Sequence, residues 1–358
     1  MKKVLIIGPF PDPITGVSLA NKVVKEALDE NPNFNSDFIN TSYTKFDEKL
    51  GTFSFKKLFF YLIFNIKLYK VFINDVIYIT PGQTFYGVLK YANFILISHL
   101  FKKRLVIHIH GNHLNNEYKF LHGFKKKIFH YLLSKANKGI VLSESLKENM
   151  LPFIKSKNIC VLFNFAEDYL ISEDEKICVD ELRIIFLSNL MEEKGIIDLL
   201  DALNFLEDLK INYKAKIAGN IDKNNESRIK SKLEPLKNTK YIGVVSGIDK
   251  KNLLDWANVF ILPTYYKMEG QPISIIEAMA TKNIIITTKH AGIPDIVKDG
   301  LNGYFVDVKS PTGISERLLY LDNNKKEFER IGFYNKNYFK DNFSLLKFKS
   351  NIIKILNE

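Results

Sequence analysis

Only two cysteines, Cys160 and Cys178, occur in 358 residues, each isolated in a strand-like or linker context. That excludes a disulfide framework and points to a reduced, cytoplasmic setting with structural thiols. Long apolar runs are missing too. A membrane-spanning helix needs about 18 or more consecutive apolar residues, and the nearest approach, Leu58 to Ile73, is broken by Asn65, Lys67 and Lys70. The opening MKKVLIIGPF starts basic, but its apolar run ends at Ile7 before Gly8 and Pro9, so it reads as a first strand, not a secretory signal. Glycine is too sparse there for a dinucleotide fingerprint, because Gly8 and Gly16 stand too far apart. His108, His110 and His113 cluster with no cysteine or carboxylate completing a ligand set, so no metal site is expected.

What is present describes a globular chain of about two domains, at roughly 100–200 residues each. Hydrophobic residues make up 46% and charged residues 25%, which excludes disorder. The net charge of +11 is unevenly placed: 23 basic against 11 acidic residues through Phe165, and 28 against 29 beyond it. A basic half suits nucleic acid, an anionic membrane surface or a diphosphate-bearing acceptor, and a lysine-rich composition alone also accounts for it. No nucleic-acid-binding motif accompanies the charge, so nucleic acid is not an expected partner. From Phe53 to Ile73 lysines alternate with bulky apolar residues, which fits a helix in a membrane interface or a core helix with solvated lysines.

Short β-branched runs alternate with helical segments throughout, the pattern of parallel α/β sheets. Strands are expected at Val4–Ile7, Val76–Ile79, Leu105–Ile109, Arg183–Leu187, Lys214–Ala218 and Tyr241–Val244. One helix is expected over Tyr118–Ser134. The most informative stretch is VFILPTYYKMEGQPISIIEAMATKNIIITTKHAGIPDIVKDGLNG, residues 259 to 303. Val259–Leu262 has the length of a buried strand, and Pro263 ends it. After a polar, aromatic loop, Pro272 suits a first helical position, so a helix is expected to begin near Gln271. Ile273 to Ala280 is apolar apart from Ser274 and Glu277, as in a helix buried on most sides. A glutamate there needs a partner. With Glu269 eight positions earlier, two carboxylates flank a helix N-terminus, whose free N–H groups and dipole suit a phosphate.

Glu269 and Glu277 within PTYYKMEGQPISIIEAMA, followed by AGIPDIV and DGLNG, resemble the retaining glycosyltransferases of family 4. The resemblance implies the α/β GT-B fold: two Rossmann-like domains facing across a cleft, with a C-terminal helix packing back on the first. The expected divisions are an acceptor-binding domain over 1–165, a linker over 166–181, a donor-binding domain over 182–335 and a returning helix over 336–358. It also implies a nucleotide-diphosphate sugar as donor, UDP- or GDP-linked, with no cofactor and no metal. By the same resemblance Glu277 holds the ribose hydroxyls, while Glu269 meets the sugar ring as nucleophile or as positioning group. The donor contacts Gly270, Gln271, Pro272 and Ile273, the diphosphate is met by Lys194 before Gly195, and His110 lies near the donor sugar. A packed or solvent-facing His110 is the alternative.

Departures from the family pattern are local. Gly16 matches a glycine that approaches the donor diphosphate, with Thr15 in place of its usual neighbour glycine. Asn189 stands where an arginine is usual and Ser188 where a glycine is, so one positive charge for the leaving diphosphate is missing; Arg183 or a basic residue of the first domain are candidates to replace it. Lys282 replaces a glycine after the helix, a change expected to be tolerable at a surface. The implied activity is retaining transfer of a sugar to a saccharide acceptor on polyprenyl diphosphate, in surface polysaccharide (O-antigen, capsule or lipopolysaccharide) synthesis, at the inner face of the cell membrane. A sugar-nucleotide 2-epimerase and a non-catalytic partner subunit share the architecture and are the alternatives.

Overall fold

The computed structural model describes residues 1–12, 15–42, 64–172, 179–222 and 224–358. By its contacts the chain divides into two compact units, one of residues 1–163 with 348–358 and one of residues 164–347.

The first unit is built on six parallel strands: β1 (Lys2–Gly8), β2 (Phe34–Asn40), β3 (Val76–Ile79), β4 (Arg104–Ile109), β5 (Lys138–Val141) and β6 (Ile159–Val161). Their order is β2-β1-β3-β4-β5-β6. Val4–Ile7, Val76–Ile79 and Leu105–Ile109 are fully buried, as strands covered on both faces by helices must be. Gly8 ends β1 where a side chain has no room, since a Cβ there would lie 2.0 Å from Thr80 Oγ1 and 2.4 Å from Asn21 Nδ2. Thr15 caps the following helix, Gly16–Asp29, in a reciprocal capping box with Ser18. The single helix expected over Tyr118–Ser134 is two, Leu114–Phe120 and Gly123–Leu133. The break falls at Leu121 and His122, which are extended, and Gly123 takes φ +55°, a value glycine adopts without strain. The alternating lysine–apolar segment at 53–73 lies mostly outside the described residues.

The C-terminal helix, Leu345–Asn357, ends against this sheet. Lys2 Nζ donates to Leu356 O and Asn357 O at 3.1 and 2.8 Å, and Arg104 reaches Leu356 O and Ile355 O at 2.9 and 3.0 Å. Lys138 Nζ adds a bond to Ile355 O at 3.3 Å and pairs with Glu358. Three cations thus meet the negative end of one helix dipole and its unpaired carbonyls.

The second unit repeats the plan with β7 (Leu182–Leu187), β8 (Tyr213–Ala218), β9 (Thr239–Gly243), β10 (Val259–Leu262), β11 (Ile284–Thr288) and β12 (Gly303–Val306), in the order β12-β11-β10-β7-β8-β9. The chain winds from β7 outward to β9, then crosses back to place β10 on the other side of β7. This is a topological switch point, where open parallel sheets leave a crevice beyond the carboxyl ends of the strands. The loops after β7 and β10 border it.

Candidate active site

The loop after β10 runs from Pro263 to Pro272, and the helix Ile273–Ala280 follows. Pro272 is the N-cap, one place before the first helical position assigned to it from sequence, and the helix begins at Ile273 and not near Gln271. No side chain caps this end, so the first-turn N–H groups keep their anion-binding character.

The loop after β7 meets this one. Lys194 Nζ lies 2.5 Å from Glu269 Oε2, and Thr264 Oγ1 lies 3.3 Å from the same oxygen. Glu193 O accepts from Thr264 Oγ1 at 3.2 Å and from the Tyr265 N–H at 2.8 Å, so backbone bonds fasten the loops together. Gly195 takes φ +81°, and a Cβ on it would lie 2.6 Å from Pro263 O. Glycine is therefore required twice over, by conformation and by close approach. Lys194 also sits 5.0 Å from the centre of the Tyr266 ring, within range of a cation–π attraction. Gly270 O accepts from the Gly292 N–H at 2.9 Å, and Gln271 is fixed by Asn164, whose N–H and side-chain amide donate to it at 2.6 and 2.8 Å.

Glu277, in the second turn of the helix, is 7% exposed and carries the partner its burial demands: Lys250 Nζ at 2.5 Å. Burial lowers the affinity of Lys250 for its proton, but the charge and hydrogen bond of Glu277 outweigh it and raise the pKa. Lys250 therefore stays an ammonium.

The structure thus gathers Lys194, Glu269, Gly270, Gln271, Pro272, Ile273 and Glu277 around one loop–helix junction. Asn189 lies exposed on the loop after β7. Arg183 does not fill its place: it lies near the start of β7, paired with Glu181 at 3.0 Å, about 13 Å of strand away at 3.3 Å per residue. Lys282, expected at the surface, is 2% exposed, and its φ of +63° is one that glycine would adopt without strain.

Gly16 and His110 belong to the first unit. Gly16 is the first residue of its helix and exposed. His110 is half-buried, with its ring 3.9 Å from that of His108, and burial pushes its pKa down to about 3. His108 is wholly buried and bonded through Nδ1 to Tyr78 Oη at 2.6 Å, and burial with the neighbouring His110 holds its pKa well below the usual value. Both imidazoles are neutral near pH 7. Glu117 does approach His113, at 3.5 Å, but among the described residues no three side chains form a metal-binding group. Sequence reasoning missed Lys250, which is 27 positions from Glu277 on another helix, and Thr264, which resembles any loop threonine. No local signal marks either.

Residues 170–338 match the model for Glycosyl transferases group 1. That match lies within the second unit, residues 164–347. An uncharacterized glycosyltransferase of Methanocaldococcus jannaschii, MJ1069, is 26% identical over 305 residues, covering 80% of this chain and 77% of that protein. The N,N'-diacetylbacillosaminyl-diphospho-undecaprenol alpha-1,3-N-acetylgalactosaminyltransferase of Campylobacter jejuni is 27% identical over 234 residues, covering 63% of this chain and 58% of that protein. HepE of Anabaena, solved with UDP and glucose, superposes over the full length of both chains with a TM-score of 0.75 at 15% identity. At that identity the likeness concerns the fold. The two parallel six-stranded sheets with their helices are those of GT-B glycosyltransferases.

Proposed function

We propose that this protein is a retaining glycosyltransferase that moves a sugar from a UDP- or GDP-sugar to a saccharide acceptor carried on polyprenyl diphosphate, in surface polysaccharide synthesis. The observation that carries the reading is the juxtaposition of Lys194, Glu269 and Glu277 at the uncapped start of the helix Ile273–Ala280. Breaking the bond between the anomeric carbon and the diphosphate leaves an electron pair on a phosphate oxygen, and negative charge grows there as the sugar gains oxocarbenium character. Lys194 and the helix N-terminus supply preorganised positive charge for that oxygen. Glu269 holds Lys194 until the donor arrives and then accepts from a sugar hydroxyl as a positioning group. The departing phosphate oxygen takes the acceptor's proton, so the acceptor oxygen bonds to the same face the diphosphate leaves, and configuration is retained. With Asn189 neutral, Lys194 carries more of this charge than a lysine with an arginine neighbour would. No step calls on a metal, and the rate should survive chelation.

The lipid-linked acceptor is supported by the Campylobacter relative and by the first unit's surface. Phe120 and Phe124 are 77% and 76% exposed beside Lys119, Lys125, Lys126 and Lys127, a pairing suited to an anionic membrane surface. The deciding experiment incubates the protein with UDP- and GDP-sugars and a polyprenyl-diphosphate saccharide, follows product mass, and reads the new anomeric configuration by NMR. An elongated acceptor with retained configuration is expected. An inverted product sinks the mechanism. An altered nucleotide sugar formed without acceptor sinks the transferase reading.

A further inference from the structure

The two carboxylates of the site are divided in the same way. Glu269 gives Oε2 to Lys194 and Thr264, and Glu277 gives Oε1 to Lys250. The second oxygen of each accepts no hydrogen bond among the described residues. Lys194 has a role in the proposed chemistry, whereas Lys250 has none. It comes from the helix Gly247–Trp256, its side chain is 17% exposed and that of Glu277 is 9% exposed. A surface lysine would gain little from such an approach. A buried, unpaired carboxylate would take up a proton or turn toward another donor, and in either state it would be a poor acceptor for a ligand.

We infer that Lys250 is a positioning residue for nucleotide recognition: it holds Oε1 of Glu277 so that Oε2 is left to accept from the vicinal hydroxyls of a ribose. The inference rests on the donor reading above and extends it to a residue outside the loop–helix junction. Tyr169, half-exposed, lies in the electrostatic neighbourhood of the same pair. A lysine that served stability alone would leave the choice between ribose and a ribose without hydroxyls untouched.

The test titrates the full chain calorimetrically with UDP and GDP, then compares whichever binds with its 2',3'-dideoxy counterpart. Wild type should favour the ribose form by about tenfold or more, the size expected of a hydrogen bond to a charged acceptor. Lys250→Met should bring the two forms to within about twofold by weakening the ribose form while leaving the dideoxy form unchanged. Lys250→Arg should restore most of the preference, and it decides the matter if the Met variant does not fold. Glu277→Gln should lose the preference as well. Wild-type preference retained in Lys250→Met, or equal weakening of both forms, overturns the positioning role while leaving the donor reading intact. Failure of wild type to bind either diphosphate overturns the donor reading and this inference together.

Discussion

The two units are built on the same plan and use it for different chemistry. Each has six parallel strands with a switch point, between β1 and β3 in the first and between β7 and β10 in the second. At the first, neutral groups close the space: Asn21 Nδ2 donates to Pro9 O and to Thr80 Oγ1, both at 2.8 Å, over a glycine that admits no Cβ. At the second, two buried carboxylates face two lysines, each pair at 2.5 Å. Sheet topology provides a crevice in both cases, and only side chains decide whether it holds charge. The units also differ outside the crevices, since the whole excess of positive charge lies in the first.

The sharpest way to break the comparison is to remove charge from the second switch point. Lys194→Ala should lower kcat by about 10²–10³-fold, the cost of losing one preorganised donor to a developing oxyanion, while Asn21→Ala in the first unit leaves kcat within about threefold and costs about 1–2 kcal/mol of stability through its lost buried bonds. Steady-state rates beside denaturant unfolding check both halves of the statement. Equal loss of kcat in the two variants would mean that the first crevice also contributes to the chemistry.

Acid should separate the units next. His108 and His110 are held neutral by burial, with folded pKa values below the unfolded one near 6.5. Below about pH 6.5 the unfolded chain binds protons that the folded first unit refuses, so its stability is complete above that pH and falls as pH drops toward about 3. Hydrogen exchange at pH 7.5, 5.5 and 4.5 should show the strands β3 and β4 losing protection before β7 and β10. His110→Phe should reduce that difference. Simultaneous loss in both units would show that the histidine pair is not the acid-sensitive element.

The smallest effect concerns the surface. Phe120→Ser with Phe124→Ser should weaken binding to vesicles of anionic phospholipid by about tenfold at low salt, with little change in thermal stability because both rings are exposed. Unchanged flotation would detach the basic first unit from the membrane.

Much of this was legible in the residues. A strand stopped by Pro263, a loop, and an apolar helix carrying Glu277 are local patterns, and the structure has them within two residues. The spacing of Glu269 and Glu277 across a helix start was equally visible. Other features were not. Lys250 reaches Glu277 only because the helix after β9 passes beside the helix after β10. Lys282 reads as a polar surface residue, yet it is 2% exposed, with its ammonium 5.3 Å from the centre of the Phe333 ring. The break at Leu121–His122 divides a segment whose apolar spacing alone suggests one helix.

The sequence by itself determined the alternation of strands and helices, the uneven charge and the residues able to meet a diphosphate and a sugar, because propensity, patterning and capping act over a few neighbours. Tertiary structure alone decided that β10 lies beside β7, that Lys194 therefore meets Glu269 across 75 residues of chain, and that Glu277 is held by Lys250. Strand order sets those meetings, and strand order is fixed by which buried faces pack together, a property of the whole sheet and not of any one segment.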